Sequence, residues 1–215
     1  MNTSSLLPRN SDLVVENERL RAELERTREE IHALLKQATT DELTGLLNRR
    51  GFLRLAEEEL SYAQIGMRPL MMIYVDVDGL KELNDTVGHE EGDVLLIETA
   101  MLLRKVFRAT DVVARLGGDE FVVLTRDFHG NGDVIRRRIA QVSDALHRSG
   151  AQSREISLSA GVITVDPYES PDLGELLSRA DKAMYTIKRS KLKDRRGAHR
   201  DRPAQAALEV QQSAA

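Results

Sequence analysis

Two short acidic segments carry the groups in this sequence best suited to chemistry. One is Asp76-Val77-Asp78, which directly follows the apolar run 70–75. The other is Gly117-Gly118-Asp119-Glu120, between two short apolar segments. A carboxylate at the end of a buried strand is costly unless water, a hydrogen bond or a cation compensates it. Brought together, the four acidic residues would repel one another, and a divalent cation is the simple remedy. Hard oxygen donors without any cysteine favour magnesium or manganese. The glycine pair permits positive φ angles and keeps side chains away from a closely approaching ligand. Asp-x-Asp alone is a common loop pattern, so its weight comes from the elements around it.

Those elements are legible from periodicity and turn chemistry. Asp41 and Thr44 are placed to cap a helix over 49–65, which ends near Gly66 and Pro69. The continuous apolar run 70–75 predicts a buried strand. A helix is expected over 91–107, then a hairpin of strands 112–116 and 120–125 turning at Gly117-Gly118-Asp119. A helix over 133–148, a strand over 156–165 and an amphipathic helix over 173–188 complete the series. This order implies an α/β (α+β) fold with a ferredoxin-like sheet, covering 41–193.

Ahead of it, Leu13, Leu20, Thr27 and Leu34 form one seven-residue row, and Asn17, Leu24, Ile31 and Ala38 the other. Charged residues fill much of the space between, which is the pattern of a short coiled coil over 13–40. Residues 1–12 read as a flexible start. The tail 194–215 is basic, then Ala/Gln-rich, and reads as disordered.

Composition narrows the function classes. With 41% hydrophobic residues in 215 there is material for one real core, and 31% charged residues imply a well-solvated helical part. A formal net charge of −4 gives no broad basic field, so no nucleic-acid partner is expected. The absence of cysteine fits a reducing, cytoplasmic setting. No apolar stretch approaches the roughly 18–20 residues that span a bilayer, so no membrane partner is expected.

Five ordered blocks resemble the GGDEF family of diguanylate cyclases. They are Asp41-Glu42-Leu43-Thr44-Gly45-Leu46-Leu47-Asn48-Arg49-Arg50; Asp76-Val77-Asp78 with Lys81, Asn84-Asp85, Gly88-His89 and Gly92-Asp93; Arg115-Leu116-Gly117-Gly118-Asp119-Glu120-Phe121; Ser159-Ala160-Gly161; and Ala180-Asp181, Ala183-Met184-Tyr185 and Lys188. The resemblance implies a nucleotidyl-cyclase-like domain that condenses two GTP into cyclic di-GMP, releasing two pyrophosphates. It implies two metal ions, held by Asp76, the Val77 carbonyl and Asp119. Asp119 or Glu120 would help deprotonate the attacking 3′-hydroxyl, and Lys81 would neutralise phosphate charge. Asn84 and Asp93 would read guanine, with His89 beside them as a hydrogen-bonding residue and Lys188 on the substrate. Asp78 and Arg115 are left between structural and functional roles.

Because each domain would hold one GTP, the resemblance also implies a homodimer, which the heptad segment would promote. Arg108 and Asp111 match an Arg-x-x-Asp site at which cyclic di-GMP inhibits the family. The family's usual Gly-Arg-Asn after the closing lysine is Lys191-Leu192-Lys193 here. Lys191 and Lys193 could replace the missing Arg as point charges but not bidentately. Leu80 stands where the family usually has Phe. The rival readings are a silent domain that binds GTP or cyclic di-GMP as a receptor, and a coiled-coil adaptor.

Overall fold

The computed structural model describes residues 10–126, 132–169 and 172–212, with side chains described from 13 to 193 within those spans. The chain divides into two compact units, Met1–Thr40 and Asp41–Ala215. The first is built on α1 (Asn10–Thr39), a continuous helix of 30 residues. Its Leu13, Leu20, Leu24, Ile31 and Leu34 are all exposed by half or more. No helix among the described residues is long and apolar enough to cross a membrane.

The second unit runs α2 (Arg49–Gly66), β1 (Leu70–Val77), α3 (Leu80–Thr86), α4 (His89–Val106), β2 (Val112–Gly117), β3 (Glu120–Thr125), α5 (Gly132–Arg148), β4 (Leu158–Val165) and α6 (Leu173–Gln212). The four strands are antiparallel in the order β2-β3-β1-β4. This is the ferredoxin-like topology that the element order predicts. β1 is central and buried along its whole length, which is why it reads as an unbroken apolar run rather than an alternating one.

Side-chain alternation along β1 divides the core in two. Ile73, Val75 and Val77 face a cluster with Leu95, Leu102 and Leu103 of α4 and Ile135 and Ile139 of α5. Leu70, Met72 and Tyr74 face a cluster with Phe52 and Ala56 of α2 and Leu176, Ala180 and Met184 of α6. Helices therefore cover both faces of the sheet. The strand ends near Asp76 and the β2–β3 turn lie at one rim, because Asp76 pairs with Glu120 of β3 and Ser159 of β4.

Several expectations are corrected in detail. The cap of α2 is Asn48, whose side chain accepts from Gly51 N at 3.0 Å, not Asp41 or Thr44. β1 continues two residues beyond 75, because its ladder partners on both sides extend to Asp76. α3 was not anticipated; seven residues with Leu80 alone buried are too few to display a period. β4 begins at Leu158, after a buried Ile156. α6 does not stop at Lys188, since no glycine or proline interrupts residues 188–196. The side chains of the expected disordered tail, 194–215, lie outside the described residues, although the α6 backbone is helical to Gln212. Residues 1–9 of the expected flexible start also lie outside them.

Candidate active site

Asp76 projects from β1 toward the α6 side of the sheet and is 6% exposed. Lys188 of α6 donates to both of its carboxylate oxygens at 2.7 Å. Burial is the largest influence on Asp76 and raises its pKa. Lys188 opposes this, while Asp119 and Asp78 push it further up, and the net direction is upward. Burial alone would lower the Lys188 pKa, but Asp76, Asp119 and Asp78 outweigh it and hold the ammonium charged.

Lys188 can reach Asp76 because α6 lies directly on β4. A Cβ on Gly161 would stand 2.1 Å from Met184 N and 2.5 Å from the Ala180 carbonyl oxygen. Only a glycine tolerates that approach.

Asp119 sits at the hairpin tip, and its carbonyl accepts from Val77 N at 3.1 Å. The tip needs its glycines, with φ at 149° for Gly117 and 53° for Gly118. Arg115 braces the tip from behind. Its Nε donates to the Gly118 carbonyl at 3.0 Å, and one terminal nitrogen donates to the Asp41 carboxylate at 3.2 and 3.3 Å. Asp41 also accepts from the Thr44 amide and hydroxyl at 2.9 and 2.6 Å. Burial works against ionisation of Asp41, yet Thr44 and Arg115 together hold its carboxyl below the usual range. The block opening at Asp41 is therefore a clamp on the hairpin, and Arg115 is engaged in it.

Between α3, the hairpin tip and Lys188 of α6 lies a cavity of about 420 Å³, within the range of small-ligand sites. Val77, Asp119, Lys188 and Lys81 line it, together with Glu82 and Asp85 of α3. Asn84, one turn beyond Lys81 on α3, does not line it. Its Oδ1 is buried without a hydrogen-bond partner, against the bare Cα of Gly92, where a Cβ would come within 1.9 Å. A buried acceptor left unpaired is costly and marks a place for a donor. Asp93 follows Gly92, and His89 opens α4; both side chains are exposed.

Asp78 has a different environment from Asp76. It accepts from Ser157 Oγ at 2.7 Å, Ser159 Oγ at 2.6 Å and Lys191 Nζ at 2.9 Å. Burial opposes its ionisation, but Ser159, Lys191 and Ser157 overcome it and keep the carboxyl below the usual range. Sequence reasoning missed these serines as partners, and it also missed Tyr74. Tyr74 lies beside the Glu120 carboxylate, and burial first, then Glu120, raise its pKa above the usual phenol range. The strand alternation that puts residues 74 and 76 on one face was the available signal.

Arg108 and Asp111 form the turn between α4 and β2. Asp111 Oδ2 accepts from Arg108 N at 2.8 Å, and Asp111 N donates to the Arg108 carbonyl at 3.0 Å. The Arg108 side chain is exposed.

The donors available for a divalent cation are hard oxygens: the Asp76 and Asp119 carboxylates with the neighbouring Val77 carbonyl. Among the described residues no third acidic or histidine side chain joins them in a cluster able to hold a metal unaided. The set fits magnesium or manganese that keeps further positions for water or phosphate oxygens.

The family model described as diguanylate cyclase, GGDEF domain, matches residues 38–194. The chain is 36% identical over 173 residues to the diguanylate cyclase DgcP of Escherichia coli K12, covering 79% of this chain and 50% of that protein. It is 38% identical over 165 residues to the response regulator PleD of Caulobacter vibrioides, covering 73% and 35%. It thus spans half or less of the length of these curated relatives. Among solved structures, the coiled coil and GGDEF domain of DgcB from Caulobacter crescentus, in complex with c-di-GMP, superposes with a TM-score of 0.67 at 27% identity. That match covers 83% of this chain and 95% of the other. With a family model matched over residues 38–194, most of its length, this chain belongs to the GGDEF domain family.

Proposed function

We propose that this protein is a diguanylate cyclase, condensing two GTP into cyclic di-GMP as a magnesium- or manganese-dependent homodimer. The observation that carries the reading is the meeting of Asp119, Lys81 and Lys188 around one cavity at the rim that holds Asp76. Asp76, Val77 and Asp119 would hold the cation, which when bound supplies positive charge to the triphosphate and acidifies the 3′-hydroxyl. Lys81 and Lys188 present ammonium groups to phosphate, and Asp119 or Glu120 takes the proton of the attacking hydroxyl.

Guanine would be read by Asn84 and Asp93, with His89 beside them. The unpaired Asn84 Oδ1 is an acceptor suited to the N–H donors of guanine, and Asp93 accepts in the same way. Adenine presents an acceptor at N1 and would be disfavoured. Arg108 and Asp111 would bind cyclic di-GMP as an inhibitor, the exposed guanidinium gripping guanine or phosphate. The 13–40 coiled coil would bring two domains together, and its exposed apolar rows support that role. A cytoplasmic location accords with the nucleotide substrate.

The test is GTP turnover with magnesium across a range of protein concentrations. Cyclic di-GMP should form, with specific activity rising as the dimer populates. The Asp119→Ala variant should form none while melting like the parent. Nucleotide binding without product from the parent would favour a receptor, and normal turnover by Asp119→Ala would refute the metal assignment.

A further inference from the structure

α6 reaches the rim with two lysines one turn apart, and they serve different groups. Lys188 lies on Asp76 and lines the cavity. Lys191 is absent from the cavity lining. Its Nζ donates to Asp78 Oδ2 at 2.9 Å and to the Leu158 carbonyl at 2.7 Å, with Ser157 Oγ at 3.5 Å. An ammonium has three protons, so its donor capacity is spent within the protein.

Asp78 is the other half of this arrangement. Its side chain is 10% exposed and takes the Ser157 and Ser159 hydroxyls as well. Its own N–H donates to the Ser157 carbonyl at 3.0 Å. Asp78 is thereby fastened by backbone and side chain to Ser157, just ahead of β4, and by its side chain to Ser159 within β4. Gly79, with φ at 83°, follows it, and α3 starts at Leu80 with Lys81 in its first turn.

We propose that Lys191 is a positioning residue: by neutralising Asp78 against β4 it fixes the start of α3, and with it Lys81 in the cavity. It does not replace the missing arginine as a phosphate contact. The catalytic purpose of this positioning rests on the cyclase reading; the positioning itself does not. Without the ammonium, Asp78 is a part-buried carboxylate left with two hydroxyl partners, and such a charge favours rearrangement. Removing both charges should be far milder than removing one.

The experiment compares the full chain with Lys191→Met and with Lys191→Met/Asp78→Asn. Backbone hydrogen exchange over residues 79–86 is read beside steady-state GTP turnover with magnesium. Lys191→Met should speed exchange in 79–86 by about tenfold or more. It should lower kcat about tenfold with KM for GTP changed less than about threefold. The double variant should recover most of both losses. A raised KM with unchanged exchange would make Lys191 a phosphate contact and overturn the proposal. A double variant no better than Lys191→Met would overturn it too. If the parent forms no product, the cyclase reading fails while the exchange data still decide the positioning.

Discussion

Replacing Gly161 by alanine tests whether α6 must rest directly on β4 for Lys188 to reach Asp76. The added Cβ would meet Met184 N at 2.1 Å, the Ala180 carbonyl oxygen at 2.5 Å and Met184 Cα at 2.6 Å. All three are backbone atoms, so no change of rotamer relieves the overlap. Ordinary contact starts near 3.4 Å, so the helix must retreat by roughly 1 Å, an overpacking that costs about 1–3 kcal/mol. For a chain of this size that corresponds to a fall in Tm of roughly 3–10 °C. Lys188 is one turn beyond Met184 and moves with it. A 2.7 Å contact with Asp76 lengthened by that amount is no longer a sound hydrogen bond. Turnover should fall about 10- to 100-fold.

Thermal melting and cyclic di-GMP formation well below the melting range are the paired assays. Gly66→Ala is the control, because its Cβ would meet only the Arg68 side chain, no closer than 3.9 Å. Wild-type melting by Gly161→Ala would refute the close-packing argument. A lowered Tm with full turnover would refute the claim that the seat of α6 places Lys188.

Gly92→Ala should behave differently, because its Cβ would meet only side chains, chiefly the Asn84 carboxamide, which can turn away. Its Tm should stay within a few degrees of the parent while KM for GTP rises about tenfold, since Asn84 is displaced from the guanine edge; unchanged KM would exclude Asn84 from that role. Asp41→Asn probes the hairpin clamp through pH. A carboxyl held below its ordinary 3.8 contributes stability that is complete above that value and lost as pH falls through the folded one. Denaturant unfolding at pH 7 should show the variant less stable by about 1–2 kcal/mol, with the gap closing below pH 3.8, and a pH-independent gap would refute the charge argument. Arg108→Ala should relieve inhibition by added cyclic di-GMP with uninhibited turnover retained, and an unaltered inhibition curve would exclude that site.

Much of this architecture was legible because its causes are local. The apolar run before Asp76, the paired glycines before Asp119 and the spaced helices dictate strand, turn and layer, and together they yield a ferredoxin-like sheet with two carboxylates at one rim. The heptad rows of α1 are likewise a property of spacing alone.

Partner choice is another matter, since it depends on groups far apart in the chain. Nothing in the local spacing of this basic stretch tells which carboxylate Lys188 or Lys191 will meet. Only the approach of α6 to Gly161 sends one to Asp76 and the other to Asp78. Arg115 and Asp41 are 74 positions apart, and their pairing exists only once β2 lies beside the segment leading to α2. Local residue order determined which groups stand at the rim, because strands and turns are short-range structures. Packing decided which charges neutralise one another, because a buried ion pair is set by what the fold brings within about 3 Å.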